Sequence, residues 1–100
     1  MTAYCIVYES IEDPVAFERY RSQVLAMIEA HEGRFLVRGG DFTALEGELT
    51  FDRIVVLEFP TRHAALGWYN SPEYQQILPI RLGASHSQFV VVDGVGVHDG

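Results

Sequence analysis

Arg53-Ile54-Val55-Val56-Leu57-Glu58-Phe59, closed by Pro60, is the stretch on which the fold turns. Its β-branched and aromatic residues predict a strand. Side chains alternate across a strand, so Ile54 and Val56 share one side while Val55 and Leu57 share the other. Both sides are apolar, and such a strand is covered on both faces. The same pattern recurs twice. Ala3 to Glu9 sets Tyr4, Ile6 and Tyr8 against Cys5 and Val7. Ser87 to Asp93 sets Val90 and Val92 against Phe89 and Val91.

Helical segments lie between these strands. Asp13 followed by Pro14 is an N-cap with proline at the first helical position. Phe17, Tyr20, Val24, Met27 or Ile28, and His31 then recur at spacings of three and four, which is one helical stripe. Gly33 is the expected stop. Arg34 to Arg38 reads as a strand that ends at Gly39-Gly40. Asp41 to Asp52 is long for a structureless connection, so it is expected to be functional or to hold a small hairpin around Gly47. After Pro60, Thr61 caps a helix whose Ala65, Trp68 and Tyr69 face inward. Asn70-Ser71-Pro72 interrupts it, and Ser71 with Pro72 restarts a helix. Tyr74, Ile77, Leu78 and Leu82 form the apolar side of this last helix, and Pro79 is expected to kink or shorten it.

The order is therefore β-α-β-β-α-β. This is the α+β, ferredoxin-like arrangement, one four-stranded antiparallel sheet with helices on one face. Residues 1–94 read as a single domain and 95–100 as a glycine-rich tail, expected to fray or to add a strand to a partner. The helices cover one face only, yet both faces are apolar. A second copy packed sheet to sheet about a two-fold axis, as a dimeric α/β barrel, is the expected solution.

Composition narrows the function classes. The chain has 100 residues, 48% of them hydrophobic, and a net charge of −7, which argues against nucleic-acid and anionic-membrane partners. No apolar run reaches the roughly 18 to 20 residues of a membrane span. The start lacks the basic and apolar blocks of a signal peptide, and the lone Cys5 cannot form an internal disulfide. Both point to a cytoplasmic protein. All the basic side chains are arginine. Biased codon usage accounts for the total, while particular arginines suit a bidentate grip on carboxylate or phosphate.

The motifs bring a resemblance. Phe35-Leu36-Val37-Arg38-Gly39-Gly40, Leu45-Glu46-Gly47, Asp52 to Pro60, Trp68-Tyr69-Asn70-Ser71-Pro72-Glu73-Tyr74-Gln75 and Arg81-Leu82, taken in order, resemble a bacterial family, domain of unknown function 1330, of the dimeric α/β-barrel superfamily. The resemblance covers roughly residues 3 to 93. It implies a ferredoxin-like protomer whose sheet pairs with its twin, and it brings no known reaction. The family's recurring residues fall here at Arg38, Gly39, Gly40, Glu46, Gly47, Arg53, Phe59, Pro60, Trp68, Tyr74 and Arg81. Superfamily relatives include cofactor-free monooxygenases, small isomerases, lactone-processing enzymes and haem proteins, so activity carries over by analogy of fold alone.

Arg38, Arg53, Trp68, Tyr74 and Arg81 are the candidate ligand-binding residues, for a small anionic organic molecule. Two readings of Arg38 stand side by side, a guanidinium at a pocket rim and an ion pair with Glu46 that pins the long connection. Arg53 opens a strand whose same-side residues are apolar, so its charge needs a partner, with Asp52 and Glu46 nearest in sequence. Glu46, if buried, is the candidate general base. His31 is the second candidate for proton transfer, though the negative end of its helix already accounts for it. His63, His86 and His98 are scattered, no pair has metal-ligand spacing, and no metal or organic cofactor is called for. Gly39-Gly40 lacks the spacing of a phosphate loop, and no Gly-x-Ser-x-Gly occurs. Cys5, mid-strand among apolar neighbours, reads as an inert buried thiol. Catalysis stays open. The alternative is a non-catalytic structural or regulatory dimer whose charged residues only stabilise the fold.

Overall fold

The computed structural model describes residues 1–96. Its elements run β1 (Ala3–Ile11), α1 (Pro14–Ala30), β2 (Arg34–Arg38), β3 (Arg53–Phe59), α2 (Arg62–Tyr69), α3 (Pro72–Ala84) and β4 (Ser85–Asp93). The four strands form one antiparallel sheet in the order β2-β3-β1-β4, the ferredoxin-like arrangement.

Local chemistry sets the element ends. The Asp13 carboxylate accepts from the Ala16 N–H, the Thr61 hydroxyl from Ala64, and the Ser71 hydroxyl from Tyr74. The end of α1 differs from the sequence reading. Gly33 N–H bonds the Ile28 carbonyl and Glu32 N–H bonds the Glu29 carbonyl, a Schellman closure. The left-handed residue in it is Glu32, at φ 64°, not Gly33. Gly33 is small for a packing reason, since a Cβ there would meet the Phe59 ring at 2.4 Å.

The helices cover one face of the sheet. On β1 that face carries Ala3, Cys5, Val7 and Glu9, all buried. On β3 it carries Val55, Leu57 and Phe59. The core forms between these residues and Phe17, Val24, Ile28, Trp68, Tyr74 and Ile77 of the helices. The opposite face is open. Cross-strand register sets Val37, Val56, Ile6 and Val90 in one apolar row across all four strands. One end of this face is capped by Phe51, which stacks on His86 and packs beside Tyr8.

Several expectations are corrected. Residues 39–52 form no strand, so there is no hairpin at Gly47; the segment is anchored by buried Phe51. Helix α3 continues through Pro79 to Ala84. Leu82 is 58% exposed and Arg81, beside it, is 3% exposed, so the inward position belongs to the arginine. Strand β4 begins at Ser85, two residues before the expected start, and β1 continues to Ile11. Beyond β4, Gly94 N–H still bonds the Thr2 carbonyl. His98 and residues 97–100 of the tail, expected to fray or to add a strand to a partner, lie outside the described residues.

Candidate functional site

A cavity lies between the helices and the end of the sheet where β1 finishes and β3 begins. Its enclosed space is small, about 40 Å³, room for only a few waters, and it opens to solvent at its mouth. Val7, Phe17, Phe35, Val55 and Phe89 give it apolar walls. Arg21, Arg38, Arg53 and Arg81 bring four guanidinium groups to it, against a single carboxylate, Glu9.

The sheet places these groups by register. Glu9 of β1 lies opposite Arg53 on β3 and Ser87 on β4, so the three form one row on the helix-covered face. Glu9 Oε1 stands 3.1 Å from Arg53 Nε. The Arg53 N–H is not aimed along that line and makes no hydrogen bond, so the pair is held by charge alone. Burial pushes the Glu9 carboxyl above its ordinary value, and Arg53, Arg81 and Arg21 pull the other way without cancelling it. Burial lowers the Arg53 pKa, Glu9 opposes that, and the like charges of Arg21 and Arg38 add to the lowering.

Arg38 reaches this face through an irregularity. Phe35 pairs with Leu57, but Val37 pairs with Val56 and Arg38 with Val55. One residue of β2 is therefore extra, which is a β-bulge. Regular alternation would turn Arg38 to the open face; the bulge returns it to the helix side. Its guanidinium then stacks 4.2 Å from the Phe35 ring centroid, at the exposed mouth.

Deeper in, Arg81 donates from Nη1 to the Ser87 hydroxyl at 2.7 Å. Tyr20 lines the cavity and its hydroxyl bonds that of Tyr74 at 2.9 Å. Burial raises the pKa of both phenols, so both remain neutral at physiological pH. Three buried side-chain nitrogens have no hydrogen-bond partner among the described residues: Arg53 Nε, Trp68 Nε1 and Arg81 Nε. All three belong to residues that line this cavity, and all three are donors.

The sequence candidates divide accordingly. Arg38, Arg53, Trp68 and Arg81 come together on the cavity. Tyr74 stands one layer behind, joined to it through both Tyr20 and Arg81. Glu46 is exposed and lines no part of the cavity, and the burial that its proton-transfer role requires is absent. No ion pair joins Arg38 to Glu46 among the described residues; the partner of Arg53 is Glu9, from a strand more than forty positions away. His31 holds its Nδ1 3.2 Å from the Met27 carbonyl and faces a separate groove beside Ser71 and Glu73. His63 and His86 are exposed. Burial pushes the Cys5 thiol up to about 11. No group of three His, Cys, Asp or Glu side chains able to hold a metal ion occurs among the described residues.

Sequence reasoning missed Glu9 and Arg21. The signal for Glu9 was present, because alternation continued from Cys5 and Val7 puts it on the same covered face. Arg21 lies four residues after Phe17 and beside the buried stripe of α1.

Solved structures share this architecture. A protein of unknown function from Rhodopseudomonas palustris, RPA0582, is 16% identical with a TM-score of 0.78, over 95% of this chain and 83% of that one. A dimeric ferredoxin-like protein of unknown function from Jannaschia sp. CCS1 is 15% identical with a TM-score of 0.63, over 94% and 100%. SnoaB, a cofactor-independent oxygenase from Streptomyces nogalater, is 13% identical with a TM-score of 0.61, over 99% and 98%. At these identities the likeness is one of fold. No curated protein is significantly similar in sequence. Residues 2–95 match the model of the family described as domain of unknown function (DUF1330), and the chain belongs to that family.

Proposed function

We propose that this protein binds a small organic anion, with a flat apolar body, in the cavity lined by Arg38, Arg53, Trp68 and Arg81. The observation that carries the reading is the set of unpartnered groups. Three buried N–H donors without hydrogen-bond partners belong to residues that line one cavity, and no buried side-chain acceptor among the described residues lacks a partner. Each unmade hydrogen bond costs about 1–3 kcal/mol. A ligand with carboxylate or carbonyl oxygens makes those bonds. The charge agrees: four arginines against Glu9 leave the cavity positive inside a chain of net charge −7. The apolar side chains toward the open mouth, Phe35 among them, suit the body of such a molecule, and the reading requires no metal or organic cofactor.

The alternative, a network that only stabilises the fold, is disfavoured by the same observation. Arg53 pairs with Glu9 and Arg81 with Ser87, yet Arg53 Nε, Trp68 Nε1 and Arg81 Nε keep no hydrogen-bond partner among the described residues, which a purely structural network would supply. Arg38 sharpens the contrast, since it is exposed and joins no ion pair among the described residues. The test is titration of 3-phenylpropionate into the protein, followed by heteronuclear NMR. Saturable shifts around Arg53, Trp68 and Arg81 that are weakened by Arg38→Ala support the reading. No binding at millimolar concentration, together with a lowered melting temperature for Arg38→Ala, supports the structural alternative.

The working unit in this reading is a cytoplasmic homodimer, joined through the open sheet face. The apolar row Val37, Val56, Ile6 and Val90 supports it, and the Jannaschia protein is a dimer of the same fold.

A further inference from the structure

We infer that Glu9 is a general base, and that the ligand is a carboxylate carrying a carbonyl with an acidic C–H beside it. This rests on the anion-binding reading above and adds a reaction to it. The cavity holds one carboxylate, several cationic donors and one hydroxyl, that of Tyr20, which is already engaged by Tyr74. Cys5, the chain's only thiol, lies in the core and lines no part of the cavity. No free nucleophile is therefore at hand. The chemistry open to a base among cations is removal of a proton with stabilisation of the anion that results.

Glu9 has the placement of a base. Its side chain is 4% exposed, and its one ion pair among the described residues is the poorly aimed contact with Arg53. The charged groups that face it are Arg53 from β3, Arg81 from α3 and Arg21 from α1, with Ser87 beside it on β4. Burial raises the basicity of the carboxylate above that of an exposed glutamate, and the three arginines pull in the opposite direction without cancelling it. The unpartnered N–H groups of Trp68 and Arg81 lie deeper. Arg81 sits 5.4 Å from the Phe89 ring centroid, and Trp68 stacks on the same ring. They suit an oxygen that gains charge during the reaction, while Arg38 and Arg53 nearer the mouth suit the permanent carboxylate.

The step balances without a co-reactant. Glu9 takes the proton from the carbon beside the carbonyl. The C–H electron pair becomes a C=C bond, and the carbonyl π pair moves onto oxygen, facing Arg81 and Trp68. Return of the proton from Glu9 to the same carbon restores the acid. Return to oxygen gives the enol, and return to the far end of a conjugated system moves the double bond.

The experiment follows hydrogen–deuterium exchange at the carbon beside the ketone of phenylpyruvate, in D₂O, by proton NMR. 3-Phenylpropionate, which lacks the ketone, serves as the binding control. The wild-type protein is expected to speed exchange over buffer, and Glu9→Gln to lower that rate by about a hundredfold or more while both acids still bind. The wild-type rate is expected to rise with pH through one ionisation. Should Glu9→Gln not fold, Glu9→Asp is expected to bind both acids and exchange more slowly. Binding of phenylpyruvate without exchange, or full exchange by Glu9→Gln, overturns the base and leaves the anion site standing. Failure of both acids to bind overturns the anion site and the base with it.

Discussion

Gly39 makes room for Arg53. A Cβ at Gly39 would stand 2.9 Å from the Arg53 guanidinium carbon, and Gly39 itself sits at φ +74°, which side chains rarely adopt. The glycine after the β2 bulge thus serves the cavity, letting Arg53 lie flat beneath the turn and against Glu9. Gly39→Ala is expected to cost about 1–2 kcal/mol of stability from the left-handed backbone. It should also displace Arg53 and weaken binding of 3-phenylpropionate. Denaturant melts and the NMR titration read the two effects separately. Binding unchanged in a destabilised variant would remove Arg53 from the site.

Arg81 tests function against stability. It is 3% exposed and its Nε has no partner, so it is a costly residue to bury. Arg81→Met keeps much of the length and removes the charge. Its effect on stability is expected to stay within about 1 kcal/mol of zero, or to be favourable, because an apolar side chain of similar size often replaces a buried charge without loss. Anion binding should fall sharply. A large destabilisation with binding intact would mean that Arg81 holds the fold and does not serve a ligand.

Glu9 gives the protein a pH signature. Its carboxyl is raised above the ordinary 4.5 by burial, so the folded state holds the proton at pH values where the unfolded chain has released it. The stability it contributes is complete below the unfolded pKa and is lost as pH rises through the folded one. Denaturant unfolding at a series of pH values should show a decline across that window that is absent in Glu9→Gln. Anion binding should weaken over the same window as Glu9 gains negative charge. A stability profile that Glu9→Gln leaves unchanged would mean that the native carboxyl titrates like an exposed one.

How far the sequence carried depends on whether the deciding contacts were local. The caps at Asp13, Thr61 and Ser71, the breaks at Pro60 and Pro72, and the two-sided strands are set by near neighbours, and they match the structure. Arg38 was legible as a rim residue, but its facing depends on a bulge fixed by pairing with β3, which alternation alone denies. Glu9 is only the last residue of the first strand in sequence. In the fold it is buried on the helix-covered face, opposite Arg53 from far off in sequence. Polarity drew Leu82 inward in the reading of α3, whereas the cavity calls for Arg81 there.

The end of α1 offers a stability prediction independent of the cavity. Glu32 occupies the left-handed position and Gly33 the crowded one. Glu32→Gly relieves the strained φ, with part of the gain offset by a more flexible unfolded chain, and is expected to stabilise by about 0.5 kcal/mol. Gly33→Ala drives a methyl into Phe59 and Ile28, and is expected to cost about 1–3 kcal/mol. Equilibrium melts of the two variants should move in opposite directions.

The open sheet face makes the last prediction. Val90 is 53% exposed in the single chain, yet it belongs to the row that runs through Ile6 and Val56 to Val37. If two copies meet there, Val90→Glu places an unpaired carboxylate in a dry interface. Light scattering is expected to report twice the chain mass for the wild type and a single chain for the variant, with unchanged far-ultraviolet circular dichroism. Because the cavity lies on the other side of the sheet, the Val90→Glu monomer should still bind 3-phenylpropionate. Loss of binding on dissociation would instead mean that the second copy shapes the site through the sheet. A wild-type chain that is monomeric at micromolar concentration would leave the apolar row to another partner.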